Sequence, residues 1–290
     1  MESKTNTLSN YLSLVKFSHT IFALPFAIIG YFLAITYTEA KFDFKLFAFV
    51  VLCMVFARSA AMAFNRYIDR TIDEQNARTA IREIPAGIVK PQSALLFVIA
   101  NCILFISTTY FINPLCFYLS PVALVVVLGY SLTKRFTALC HLVLGLGLSL
   151  APIGAYLAVT GKFDWLPLFF SFAVLFWVSG FDIIYALQDE DFDRSKNLKS
   201  IPVFLGKKGA LLLSTLLHIV SAGFIIYAGV YAKFEIWYWI GTAFYCLLLF
   251  YQHTLVKPND LSKVNLAFFT TNGIASVVFA TFVLIDLYHR

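Results

Sequence analysis

From residue 19 to residue 286 the chain alternates long apolar stretches with short polar breaks. Windows of about 20 apolar residues, long enough to cross a bilayer core as a helix, fall near 19–37, 44–64, 93–112, 114–131, 139–159, 165–187, 208–232, 235–253 and 264–286. The pattern predicts an all-α polytopic membrane protein with nine transmembrane helices in one domain spanning residues 1–290. Pro91, Pro114, Pro167 and Pro258 stand at expected helix starts or in connections, where a missing N–H costs least. Trp165, Trp237, Tyr238 and Trp239 stand at expected ends, where interfacial aromatics collect.

Composition supports this picture. With 60% hydrophobic residues, 13% charged residues and 31 Phe, the chain has more apolar surface than one soluble core buries. Its polar first dozen residues lack the regions of a signal peptide, so the first apolar segment is expected to remain as a span. Cys53, Cys102, Cys116, Cys140 and Cys246 occur singly, without metal-ligand spacing, and read as core thiols. The pI near 9.0 does not imply nucleic-acid binding, because the basic residues lie in the breaks between spans. Five of the 22 Lys and Arg fall on one side: Lys41, Lys45, Lys162, Lys233 and Arg290. The rest gather with the N-terminus and the larger loops, which the positive-inside tendency places in the cytoplasm.

The acidic residues are more sharply sorted. Of 16 Asp and Glu, Asp69, Asp73, Glu74 and Glu83 follow the second segment, and Asp189, Glu190, Asp191 and Asp193 follow the sixth. Charge sorting does not require acids there. Asn65, Asp69 and Asp73 recur every four residues, so a continuing helix stacks them on one face. Tyr185, Asp189 and Asp193 repeat the spacing 120 residues later. Like charges at i and i+4 repel, and a bound cation reverses that cost. Four expected spans separate the clusters, so both emerge on one side, with a hint of a parallel internal repeat. One such cluster alone is more often a solvated loop; two in register suit Mg²⁺, which prefers oxygen ligands shared with substrate phosphates. Arg58, Arg78, Arg82 and Lys199 lie close by in sequence to take remaining phosphate charge.

These residues resemble the UbiA family of intramembrane prenyltransferases. The family's NDxxDxxxD signature is matched by Asn65, Asp69 and Asp73, and its YxxxDxxxD signature by Tyr185, Asp189 and Asp193. The likeness extends through RTAIREIPAG at 78–87, YSLTKRFT at 130–137 and YALQDEDFDRSKNLKSIP, covering essentially the whole chain. One departure is Arg66, where the family commonly has Asp; it is similar to a subgroup linked to menaquinone synthesis by the futalosine route.

The resemblance implies helices around a central cavity that opens laterally to lipid, capped by polar loops at about 65–92 and 188–207. It implies transfer of a polyprenyl chain from its diphosphate to an aromatic acid in ubiquinone or menaquinone biosynthesis, 4-hydroxybenzoate or a dihydroxynaphthoate being the candidate acceptors. Mg²⁺ is then the expected cofactor, held by Asn65, Asp69, Asp73, Asp189 and Asp193. Arg58, Arg78, Arg82, Lys199 and Lys16 are expected at the diphosphate, with His19 beside Lys16. Lys134 and Arg135 are expected at the acceptor's carboxylate, Arg135 matching the family's basic position. Tyr185 could hydrogen-bond a phosphate or the acceptor. Asp182 could accept the ring proton or orient Tyr185, with capping or an interhelical hydrogen bond as the alternative. His19, His141, His218 and His253 form no pattern and read as packing or interfacial residues. Gly145, Gly147, Pro152 and Gly154 read as close helix packing or a kink. The setting is expected to be a bacterial inner membrane. A transporter or cation channel with acidic gates is the competing reading, but it places charge near the bilayer midplane. A CDP-alcohol phosphotransferase lacks its glycine-interspersed Asp motif here.

Overall fold

The computed structural model describes residues 7–16, 22–38 and 40–290, a bundle of helices. A short helix α1 (Thr7–Leu14) precedes α2 (Leu24–Thr38), α3 (Phe44–Ile68) and a six-residue α4 (Arg70–Gln75). Then come α5 (Pro91–Tyr110), α6 (Pro114–Thr133), α7 (Cys140–Thr160) and α8 (Trp165–Ala186). A 3₁₀ turn (Leu187–Asp189) joins α8 to the six-residue α9 (Glu190–Ser195). The chain ends in α10 (Ile201–Tyr231), α11 (Ile236–Leu255), a π-helical turn (Leu266–Thr271) and α12 (Asn272–Tyr288).

Each expected apolar segment falls on a helix. Among the described residues seven helical stretches are long and apolar enough to cross a membrane, and α2 is a shorter apolar helix. Several starts have explicit caps. The Asp43 carboxylate accepts from the amides of Lys45 and Leu46, Asn113 from Cys116, and Asp164 from Leu166. α10 begins seven residues earlier than its pattern predicts. Ser200 caps it, Pro202 occupies its first turn, and Gly206 at φ 68° interrupts it before the span proper. α1 was not expected, because its sequence is polar.

α8 is the most enclosed stretch, and α7 and α10 pack along it. A Cβ at Gly145 would lie 2.4 Å from the Leu175 carbonyl oxygen, so only glycine lets α7 approach α8 this closely. In lipid, small residues and interhelical hydrogen bonds hold helices together. Ser214 and Ser221 of α10 donate to the carbonyls of Gly180 and Ala173 on α8, each at 2.7 Å. Trp177 donates to Asn272 at 2.9 Å, tying α8 to α12 within an aromatic core of Phe26, Phe170, Phe181 and Phe279.

The sorted charges separate in space as they do in sequence. At one end Tyr37 and Arg290 meet the Ala232 carbonyl. At the other end α1, the 65–92 segment and the 188–200 segment gather over the bundle. There the 120-residue offset reappears in the backbone: α3 and α8 both yield to short helices after an Asp near φ −90° to −104°, and α4 and α9 share the same offset.

Candidate active site

α3 runs far enough to carry Arg58, Asn65 and Arg66 down its length and ends with Asp69 as its C-cap. The Asp69 amide donates to the Asn65 carbonyl, and the Asp73 amide to the Asp69 carbonyl. The chain therefore keeps a nearly helical path, and the four-residue spacing holds. Asp182 and Tyr185 lie on α8, Asp189 ends the 3₁₀ turn, and Asp193 lies on α9.

A cavity of about 650 Å³ opens between these elements. Lys16, Arg58, Asn65, Asp69, Asp73, Arg82, Lys134, Arg135, Asp182, Tyr185, Asp189 and Asp193 line it, together with Arg66 and His141. An apolar chamber of about 350 Å³ adjoins it among α3, α5, α6 and α7. The two share Arg58, Met62, Tyr130, Leu144 and Leu148 as walls. A molecule with an anionic head and a hydrocarbon tail is thus offered both environments through one junction.

Each motif aspartate has one basic partner. Asp69 accepts from Arg135 at 2.8 Å, Asp73 from Arg82 at 2.6 Å and Asp193 from Lys134 at 2.7 Å. Asp189 takes the Nε and Nη2 atoms of Arg78 and the side-chain amide of Asn76, while Arg78 Nη1 donates to the Tyr185 hydroxyl at 2.9 Å. The Tyr185 ring packs on Phe268 at 4.2 Å between centroids. Burial raises the Asp69 carboxyl above its ordinary range despite Arg135. Burial would lower the Arg78 guanidinium, but its bonds to Asp189 and Tyr185 outweigh that and raise it.

Four of the expected residues stand off the cavity wall or give their donors to other groups of the protein. Lys199 is exposed and outside the cavity wall; its backbone amide, not its ammonium, reaches inward, to the Lys134 carbonyl at 2.7 Å. Arg78 acts at the rim, through Asp189 and Tyr185. Lys134 and Arg135, expected at the acceptor, give their donors to Asp193, Asp69 and the carbonyls of Ile68 and Ser131. The donors left over are elsewhere: Arg58 Nε, and Nε and Nη1 of Arg66, are buried without a hydrogen-bond partner. The position that departs from the family signature therefore contributes a guanidinium to the cavity. His19 lies outside the described residues.

The histidines do form patterns. His141 meets Asp182 at 2.7 Å, and His218 meets His253 at 2.8 Å, bringing together positions 41 and 35 residues apart. Long-range pairs of this kind leave no local spacing to read. The expected thiols Cys53, Cys102, Cys116, Cys140 and Cys246 are all free.

The donor set suits a hard divalent cation. It is oxygen-only, carboxylate-rich, and includes Asp193 Oδ2, a buried acceptor with no hydrogen-bond partner. Among the described residues no three acidic, His or Cys side chains yet stand close enough to form a ligand cluster, since Arg and Lys hold the carboxylates.

A model of the UbiA prenyltransferase family matches residues 23–274. The chain is 30% identical over 241 residues to 4-hydroxybenzoate octaprenyltransferase of Nitrosomonas europaea, covering 82% of this chain and 81% of that one. It is 31% identical over 242 residues to the Aliivibrio fischeri protein of the same name, covering 82% of each. The apo structure of a UbiA homologue from Aeropyrum pernix K1 superposes with a TM-score of 0.83 at 30% identity, over 92% of this chain and 98% of that one. A UbiA homologue from Archaeoglobus fulgidus, solved with DMAPP and Mg²⁺, shares the fold with a TM-score of 0.77 at 23% identity, over 97% of this chain and all of that one.

Proposed function

The chain belongs to the UbiA prenyltransferase family, and from that premise we propose that it transfers a polyprenyl chain from its diphosphate to an aromatic acid, 4-hydroxybenzoate or a dihydroxynaphthoate, for quinone biosynthesis. One observation carries the reading: the four motif aspartates converge at the mouth of a cavity that continues, past Arg58 and Tyr130, into an apolar chamber. The diphosphate belongs with the charged groups and the isoprenoid tail with the apolar walls.

Mg²⁺ is the proposed cofactor, held by Asn65, Asp69, Asp73, Asp189 and Asp193; when bound it offsets diphosphate charge and so favours departure of the leaving group. The chain's own part is electrostatic and positional. Arg82, Arg78, Arg58, Arg66 and Lys16 provide cationic donors around the departing diphosphate, fixed before the reaction begins. Arg78, now held by Asp189, would supply its donors there if that carboxylate served as a metal ligand. Lys134 and Arg135, now paired with Asp193 and Asp69, would be the donors for the acceptor's carboxylate, which a guanidinium grips through two bonds. Phe181, Phe268 and Phe269 with Leu144 and Leu148 keep water from the allylic cation, and the aromatic faces favour its charge. The tail lies in the apolar chamber. The proposed setting is a bacterial inner membrane, with the N-terminus and both cap segments on the cytoplasmic side, a topology that the charge sorting supports.

The test is an assay of purified protein with a long-chain prenyl diphosphate, Mg²⁺ and a panel of aromatic acids. Prenylated product is expected, lost with EDTA and reduced about 100-fold to 1,000-fold in Asp69→Ala and Asp189→Ala proteins that still fold, as for other residues that stabilise charge directly. Ion flux without product would overturn the reading in favour of a transporter.

A further inference from the structure

Aromatic alkylation ends with loss of a proton from the substituted ring carbon, so the cavity must present a base there. Five carboxylates line its wall among the described residues. Asp69, Asp73, Asp189 and Asp193 each face an Arg or Lys and belong to the diphosphate end. Asp182 differs from all four. It sits deeper on α8, and its partner is an imidazole: His141 Nδ1 lies 2.7 Å from Asp182 Oδ2.

The hydrogen bonding fixes how that imidazole acts. The Ile201 amide donates to His141 Nε2 at 3.3 Å, so Nε2 is the acceptor and the neutral ring carries its proton on Nδ1, directed at Asp182. With Nε2 closed off by a backbone amide, His141 has no outlet through which to pass a proton onward. It can hold Asp182. The Asp182 side chain keeps 22% of its surface open while His141 keeps 4%. Oδ1 takes no hydrogen bond among the described residues and has access to the cavity.

Location agrees with this chemistry. Tyr130 belongs to the wall that both chambers share, and it lies within electrostatic reach of Asp182, Asp69 and Arg58. The bond-forming allylic carbon, between charged head and apolar tail, has to lie at that junction. Asp182 is therefore beside the reacting carbons, and Tyr130, Tyr185 and Cys140 are the other titratable groups around Asp182 and His141.

Resting on the prenyltransferase reading, we propose that Asp182 is the catalytic base that removes the ring proton of the acceptor, and that His141 is its positioning residue. The ring's π electrons form the new bond to the allylic carbon, whose bond to the diphosphate has already broken. The pair in the C–H bond at the substituted carbon then returns to the ring, and the proton passes to Asp182 Oδ1. Asp182 becomes a neutral acid and later yields the proton to water in the cavity.

The experiment compares 4-hydroxybenzoate with the same acid deuterated at the ring positions beside the hydroxyl. In the wild type the two rates are expected to agree, with ionisation of the diphosphate as the slower step. Asp182→Asn is expected to lower kcat roughly 100-fold to 10,000-fold, the usual worth of a positioned base, and to bring out a primary isotope effect as proton loss becomes limiting. His141→Leu is expected to show the same isotope effect, and His141→Asn to recover most of the rate, because an Asn side chain can place an N–H donor near the Nδ1 position. If Asp182→Asn does not fold, the two His141 variants carry the same readout. Slow Asp182→Asn and His141→Leu proteins with no isotope effect would overturn the proposal, as would His141→Asn behaving like His141→Leu. The parent reading fails differently: wild-type protein then prenylates no aromatic acid at all.

Discussion

Arg78 illustrates how one residue joins two distant motifs. Its fork meets Asp189 through Nε and Nη2, its third nitrogen meets the Tyr185 hydroxyl, and its charge lies 5.2 Å from the centre of the Tyr185 ring. A lysine can supply the charge but not the planar fork. Arg78→Lys should therefore behave nearly as Arg78→Ala, each lowering kcat/KM about tenfold or more. Arg78 is about a third exposed, which keeps the effect near the lower end for charge-assisted bonds. Steady-state kinetics of the two variants checks this, and a Lys variant close to wild type would show that charge alone suffices. The identities of Arg78, Asp189 and Tyr185 were legible in sequence because the motifs are regular. Their mutual bonds were not, because 111 residues separate Arg78 from Asp189. Arg66 stands where the family signature commonly has Asp, and its side chain adds two unpartnered buried donors. Only the folded cavity shows in which direction that side chain counts.

Helices were the most legible scale, since lipid imposes a length and an apolarity on every span. Elements at the surface end were less so. α1 is short and polar, and it is held by contacts from elsewhere: Leu14 packs with Ala63, Ile84 and Val89, and Ser13 donates to Glu83. Burial would raise the Glu83 carboxyl, but Ser13, the backbone and Arg66 outweigh it, so the folded value lies below the ordinary one. The sign follows. A depressed carboxyl adds stability above its ordinary pKa of about 4.3, and loses it as pH falls through the lower folded value. Docking of α1 should be intact at neutral pH and weaken in acid. Hydrogen exchange of residues 9–16 should speed up at low pH in the wild type, while Glu83→Gln should exchange quickly at neutral pH too. A wild-type profile indifferent to pH would remove Glu83 from this role.

On the scale of the whole molecule, the function depends on two chambers of opposite character meeting inside one bundle. The apolar one has several small side chains in its wall, among them Ala57, Ala61, Ala123, Gly147, Ala151 and Ala155. Ala123→Phe should fill part of it and shift preference toward short isoprenoids. Given a long and a short prenyl diphosphate in competition, the variant should lose at least about tenfold in kcat/KM for the long one, since even a single methylene at an apolar wall is worth that order. Product chain lengths by mass spectrometry report the outcome; an unchanged ratio would place the tail elsewhere. The bundle itself was readable from hydropathy and charge sorting, but the chambers were not, because they arise from which faces of α3, α6 and α7 meet.

Three of the four carboxylate pairs form a triangle, the fourth, Arg82 with Asp73, lying within the first cap segment. Arg78 and Asn76 join the first cap segment to the second, Arg135 joins the turn after α6 to the first, and Lys134 joins that turn to the second. No corner can shift alone without stranding a buried charge, so substrate entry has to re-partner all three at once. Metal and diphosphate would then be mutual accomplices: each would compete for groups that now hold the other's partners, and by thermodynamic reciprocity each would tighten the hold on its companion.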